Sequence, residues 1–285
     1  MKFFLAGLGN WYNELDLVKA AIMEADAVGF DGAVIPDHYM WGTREPSRQR
    51  PDDYVTLESW VLLTFLAAHT EQIRLGTRVT PIPFRPPGML AKMVATLDIL
   101  SNGRVILGVG AGWSKEEFDG YSEWHEPKIR VNKTIEGLEL IVKLWTQDEV
   151  HFEGQFYRAK AAVLEPKPVQ KPYPPLLFGS SGNRMLRLAG KYGNICFFPR
   201  ASTPEAYEEG KQTVLRVAER FHRTDQLGFM AGAMGQTPYN HKEYCTRVEA
   251  AIEMGASYFQ TSFPRNESLV TSVRRFAHEI IPSFS

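Results

Sequence analysis

Short apolar runs and helix-like segments alternate along this chain from one end to the other, and that alternation restricts the fold more than any other feature. Residues 2–8 form the first apolar run. Leu17, Ala21, Ala25 and Val28 then share one helical face, with Asn13 as the expected N-cap and Gly29 as the stop. Residues 33–36 read as the second strand, 55–69 as a strongly apolar helix and 73–80 as the third strand. A helix over residues 87–100 leads through Ser101, Asn102 and Gly103 into a fourth strand at 105–109. Val131, Ile135, Leu138, Val142 and Trp145 recur at helical spacing. Strands at 176–179 and 195–198 bracket a helix near 184–192. Pro204 sits in the first turn of a helix running to about residue 221. A weaker strand at 228–233, a helix ending at Gly255 and a strand at 258–263 follow. Leu269, Val273, Phe276 and Ile280 face one side of a closing helix.

Eight strand–helix units in 285 residues, joined by short links, predict an α/β fold: one (β/α)8 TIM barrel spanning residues 1–285. A doubly wound open sheet is the alternative, but regular units without a linker favour closure. One region breaks the rhythm. Residues 148–175 read as a hairpin with Gly154 in its turn, followed by a proline-rich connection, inserted before the fifth strand. In a barrel, a loop of that length is expected to be a lid, a dimer contact or both.

Charge narrows the partners. With 32 basic and 33 acidic residues the net charge is −1, so composition makes no case for nucleic acid or an anionic membrane. The two cysteines, Cys196 and Cys245, form no metal-binding spacing or disulfide framework. The opening MKFFLAGLGNWYNE turns polar too soon for a signal-peptide core, and no stretch approaches transmembrane length. A cytoplasmic protein acting on a small molecule is the expectation.

A barrel of this kind keeps its chemistry at the C-terminal ends of its strands. The second strand ends in Asp37 and His38. That pair is either a structural hydrogen-bonded unit or an acid and an imidazole at a reactive edge, where histidine can exchange a proton near neutral pH. The other strand ends carry glycine, threonine, serine and proline, a poor metal sphere. The third strand ends in Arg78 and Val79, and Arg78 is either solvated or a partner for an acidic ligand. The fourth runs into Gly110, Ala111, Gly112 and Trp113, where small residues allow close approach of a flat or phosphorylated ligand. The fifth runs into Gly179, Ser180, Ser181 and Gly182 at the start of a helix. Those residues suit a phosphate, or a serine there is an ordinary N-cap. Trp11, Trp41 and Trp113 fall just beyond strand ends, as packing or as walls of a pocket for a planar substrate.

Two long stretches carry a resemblance. They are IRLGTRVTPIPFRPPGMLAKMVATLDILSNGRVILGVGAGWSKEEFDGY, residues 73–121, and LWTQDEVHFEGQFYRAKAAVLEPKPVQKPYPPLLFGSSGNRMLRLAGKYGN, residues 144–194. Together they resemble the bacterial luciferase-like flavin and deazaflavin oxidoreductases. The resemblance implies coenzyme F420, or alternatively FMN, lying across the C-terminal strand ends. It implies that His38, with Asp37 beside it, sits at the reactive edge of the ring, His38 being proton donor, acceptor or electrostatic stabiliser. It implies a non-proline cis peptide at Arg78–Val79 backing that ring, and segments at 110–113 and 179–182 lining ring, ribityl chain and phosphate. It implies an insertion that partly covers the pocket, and a homodimer. The leading expectation is hydride transfer between coenzyme F420 and an organic substrate. The alternatives are an FMN-dependent monooxygenase using reduced flavin and oxygen, and a non-catalytic flavin-binding barrel. The first strand lacks the glutamate that methylene-tetrahydromethanopterin reductases of this family use as acid. Arg78 and Arg85 do not reproduce the basic set of its sugar-phosphate branch.

Overall fold

Eight parallel strands pair in a ring. In chain order they are β1 (Lys2–Leu5), β2 (Gly32–Ile35), β3 (Arg74–Thr77), β4 (Val105–Gly110), β5 (Leu176–Gly179), β6 (Ile195–Phe197), β7 (Gly228–Ala231) and β8 (Tyr258–Thr261). Each pairs with the next, and Lys2 opposite Tyr258 joins β1 to β8, so the sheet has no edge. This is the closed (β/α)8 barrel that the alternation predicts. The computed structural model describes residues 1–40, 55–201, 203–232, 238–266 and 268–284. Trp41 lies outside the described residues.

Alternation along each strand separates two cores. Phe4, Val34, Ile106, Leu177, Phe197 and Met230 fill the barrel. Their neighbours Phe3, Leu5, Ala33, Ile35, Leu107 and Phe178 face outward and pack beneath the helices. Several strands end a few residues earlier than their apolar runs. Ala6 and Leu8 stay buried although they follow β1, Ala6 in the barrel interior and Leu8 in the outer core.

The helices follow the sequence signals closely, with two shifts. Asn13 does not cap the first helix: it lies inside a 3-10 turn, Tyr12–Glu14, that feeds α1 (Leu15–Ala27). The buried face of α1 is therefore Val18, Ala21, Ile22 and Ala25. The apolar segment before β3 becomes α2 (Ser59–Ala67), capped by Glu58, whose carboxylate accepts from the Val61 N–H at 2.7 Å. Helix α3 (Pro87–Leu100) starts at a proline, where the missing N–H costs nothing. A short helix, α4 (Lys115–Tyr121), was not signalled by periodicity and precedes α5 (Pro127–Thr146). Then come α6 (Asn183–Tyr192), α7 (Pro204–Arg220), α8 (His241–Glu253) and α9 (Leu269–Glu279). Among the described residues no helix is long and apolar enough to cross a membrane.

The insertion at 148–175 does form a hairpin, Val150–Glu153 against Arg158–Ala162. It is not a lid. Glu136 on α5 accepts from the backbone N–H groups of Gln155, Phe156 and Tyr157 at 3.0, 2.8 and 2.6 Å, which ties the turn to the barrel flank. The proline-rich run then descends to the opposite end of the barrel. There Gln170 donates to Asp98 at 2.6 Å and to the carbonyl of Val105, at the start of β4, at 2.9 Å. The backbone donors of the turn and the side chain of Gln170 find partners on the flank and at the base, and these draw the loop away from the mouth.

Candidate active site

A cavity of about 440 Å³ opens at the C-terminal ends of β2 to β6. Asp37, His38, Arg78, Val79, residues 110–113 and residues 179–182 all border it. Trp11 does not. Its ring folds back over Gly9, and Arg265 stacks on it 3.9 Å from the ring centre.

Val79 forms part of the cavity floor. The Arg78–Val79 peptide is cis, and the chain rejoins β4 through Thr80 opposite Val109. The methyl groups of Val79 then occupy the space that side chains at two glycines would need. A Cβ on Gly110 would lie 2.4 Å from one Val79 methyl, and a Cβ on Gly179 would lie 2.9 Å from the other. Both positions must be glycine for the backbones to close around Val79.

His38 is anchored by a residue far away in the chain. Its Nδ1 lies 2.6 Å from Glu117 Oε2 on α4. The other Glu117 oxygen accepts from the backbone N–H groups of Tyr39 at 2.8 Å and Met40 at 3.2 Å. Glu117 is buried. An ionised carboxylate only accepts, so Nδ1 carries a proton and proton exchange falls to Nε2. Asn10 adds a backbone clamp, donating to the carbonyls of His38 and Leu57 at 2.7 Å each. The indole of Trp113 meets the imidazole edge to face at 5.7 Å.

Asp37 has a different environment. Arg85 holds it with two parallel bonds, Nη1 to Oδ2 at 2.7 Å and Nη2 to Oδ1 at 2.9 Å, and Thr80 donates to Oδ2 at 2.7 Å. Arg85 also bonds Glu58. Burial alone would lower the Arg85 pKa, but the charge and hydrogen bonds of Asp37 outweigh it and leave the guanidinium firmly protonated. The geometry gives Asp37 a fixed, paired carboxylate. Tyr39, stacked 4.8 Å from Phe84, has its hydroxyl pKa pushed up by burial.

In the glycine-rich exit after β5 neither serine is an N-cap. Gly182 occupies the N-cap of α6, and no side chain caps that helix. Ser181 Oγ accepts from the N–H of Arg200 at 3.3 Å, while Ser180 Oγ is buried beside the cavity with no hydrogen-bond partner. An orphaned hydroxyl at the start of a helix fits an anionic ligand group such as a phosphate. The Val79 floor, the glycine clearance and the orphaned Ser180 hydroxyl fit the group that the resemblance implies. Among the described residues, no group of three or more His, Cys, Asp or Glu side chains could hold a metal ion.

A sequence profile for the luciferase-like monooxygenases matches residues 5–275. The chain belongs to the luciferase-like monooxygenase family. Among curated relatives of this family member, an F420-dependent glucose-6-phosphate dehydrogenase of Amycolatopsis mediterranei is 31% identical over 222 residues. That match covers 74% of this chain and 64% of the relative. The enzyme of the same name from Microbacterium testaceum is 33% identical over 186 residues, 65% of this chain and 53% of that one. The chain therefore matches between about half and two thirds of these relatives' length. Among solved structures, an F420-dependent secondary alcohol dehydrogenase in complex with an F420–acetone adduct superposes with a TM-score of 0.82 at 19% identity. All of both chains is covered, and the likeness is one of fold.

Glu117 and Arg85 are site residues that sequence reading did not single out as such. The signal for Glu117 was slight: one of two glutamates preceding a buried phenylalanine in WSKEEFDGY. Arg130 was missed as well. It borders the cavity from α5, with its guanidinium 4.0 Å above Trp124.

Proposed function

We propose that this luciferase-like family member is an oxidoreductase that uses coenzyme F420 to oxidise or reduce a small alcohol–carbonyl pair. The contact that carries the proposal is His38 Nδ1 to Glu117 Oε2 at 2.6 Å, beside a cavity whose floor and glycine-rich walls suit a planar ring. The choice of deazaflavin over FMN rests on the names of the curated relatives. When bound, the coenzyme would supply two-electron hydride chemistry.

The chain's own residues would manage the proton. As the substrate carbinol becomes a carbonyl, Nε2 of His38 accepts its hydroxyl proton, and Glu117 stabilises the resulting imidazolium. In the reverse direction Nε2 returns that proton to the carbonyl oxygen. Asp37 does not transfer protons in this reading. It pins the strand end through Arg85 and Thr80, so that the neighbouring histidine meets the substrate at a constant angle. Residues 179–182 and the N-terminus of α6 would receive the coenzyme phosphate. Glucose 6-phosphate, the substrate in the relatives' name, is the first compound to try. A homodimer is the assembly we expect.

Parallel fluorescence titrations with coenzyme F420 and with FMN test the reading. Micromolar binding of the deazaflavin, with its absorbance bleached by a substrate alcohol, is the expected result. Binding of FMN alone, with oxygen uptake from added reduced flavin, would replace it with a monooxygenase.

A further inference from the structure

Arg78 leaves the end of β3 and lays its guanidinium over Phe197 of β6, 5.1 Å from the ring centre. Those strands are not neighbours in the ring, so the side chain crosses the barrel floor below the cavity. Its Nε is shielded from solvent and has no hydrogen-bond partner. Among the described residues, no carboxylate or carbonyl accepts from the rest of this guanidinium. Arg85 differs, being held by Asp37 and Glu58. Arg130, whose Nε also lacks a partner, stacks on Trp124 and donates to the carbonyl of His125. Burial pulls the Arg78 pKa down to about 10, which still leaves it protonated at neutral pH.

Arg78 is a half-buried cation with no counter-charge facing the cavity, so it marks a place where a ligand can bring the missing charge. The carboxylates bordering the cavity do not supply it. Asp37 is neutralised by Arg85, and Glu117 is engaged by His38 and two backbone N–H groups. Arg130 and Arg200 on the same walls add to the positive excess.

We infer that Arg78 is a specificity-determining residue that pairs with the ionised ring of an 8-hydroxydeazaflavin and so selects it over a neutral flavin. This rests on the deazaflavin reading above. The ring hydroxyl is a phenol whose anion spreads charge through the ring plane, and a guanidinium offers a planar, delocalised cation with several donors to meet it. FMN has no phenol on its ring and gains nothing comparable from Arg78.

Absorbance of the bound coenzyme against pH tests the inference, on wild type, Arg78→Met and Arg78→Lys. In wild type the ionisation midpoint of bound coenzyme F420 falls by about one unit or more below that of the free coenzyme. Arg78→Met returns it to the free value and weakens binding about tenfold or more, Arg78→Lys recovers part of both, and FMN affinity is the same in all three. Without ligand, Arg78→Met melts no lower than wild type, because a half-buried cation with no ion-pair partner has been removed. A ligand-free Arg78→Met protein that melts lower would make the guanidinium a structural group and overturn the assignment. So would a wild-type complex whose midpoint and affinity are unmoved by Arg78→Met. A wild-type protein that ignores coenzyme F420 would instead overturn the deazaflavin reading itself, and this inference with it.

Discussion

His38 and Glu117 are 79 positions apart in sequence and 2.6 Å apart in space, and their contact joins the end of β2 to the helix after β4. The pair decides which imidazole nitrogen can exchange protons. Asp37, the acid adjacent in sequence, is instead held by Arg85.

Glu117→Gln is expected to lower kcat about a hundredfold or more. The amide still accepts from the Tyr39 N–H, but its NH2 group faces Nδ1 and favours the wrong tautomer. Steady-state rates, followed by the absorbance of coenzyme F420, check this. A thermal melt within a few degrees of wild type shows that the loss is chemical and not a loss of fold.

Asp37→Asn leaves Arg85 buried with its charge only partly matched. The expected cost is about 3–5 kcal/mol, the range for breaking a buried ion pair from one side. Combining it with Arg85→Met removes the stranded cation, so the double variant is expected to be more stable than Asp37→Asn alone. Urea unfolding of the three proteins measures the coupling. Simple additivity of the two single changes would sink the idea.

Gly110→Ala places a methyl group where Val79 already sits. A loss of about 1–3 kcal/mol is expected from the forced shift, together with weakened coenzyme binding. Adding Val79→Ala gives the new methyl room and restores part of the stability. Fluorescence titration and denaturant melts, run on single and double variants, follow both effects.

Glu24 on α1 grips Arg274 on α9 with two bonds, 2.7 and 2.8 Å, which links the first and last helices of the ring. The hydrogen bond from Arg274 holds the Glu24 carboxyl below its usual range. The folded state keeps this acid ionised to lower pH than the unfolded chain does. The stabilisation is therefore complete above the ordinary glutamate range and disappears as pH falls through the lowered value. Arg274 is exposed and Glu24 half-buried at the surface, so solvent screens the pair and Glu24→Gln costs about 1 kcal/mol at pH 7. The difference between variant and wild type in thermal melts is expected to vanish in acid. A constant difference at every pH would refute the link.

Local pattern was enough for the scaffold. Short apolar strand runs, helices of period 3.6 and short links made a barrel legible, because each is a signal carried by neighbouring residues in sequence. The glycine-rich exits at 110–113 and 179–182 were legible too, since only small residues permit such close backbone approach. The hairpin around Gly154 was equally plain, for a tight turn is a local event. Where it docks was not. That depended on Glu136 and on the contact of Gln170 with Asp98, which bring the insertion to the flank and base; of the lid or dimer contact that its length suggests, a cover over the mouth is not what forms. The partners of Asp37 and His38 were likewise invisible. Arg85 and Glu117 are ordinary charged residues in sequence, and only closure of the ring brings them 48 and 79 positions back to the end of β2. Short-range periodicity determined the barrel and the location of its mouth. Tertiary structure alone decided which charges are paired there and which, like Arg78, are not, because burial and pairing are properties of the closed sheet and not of any one segment.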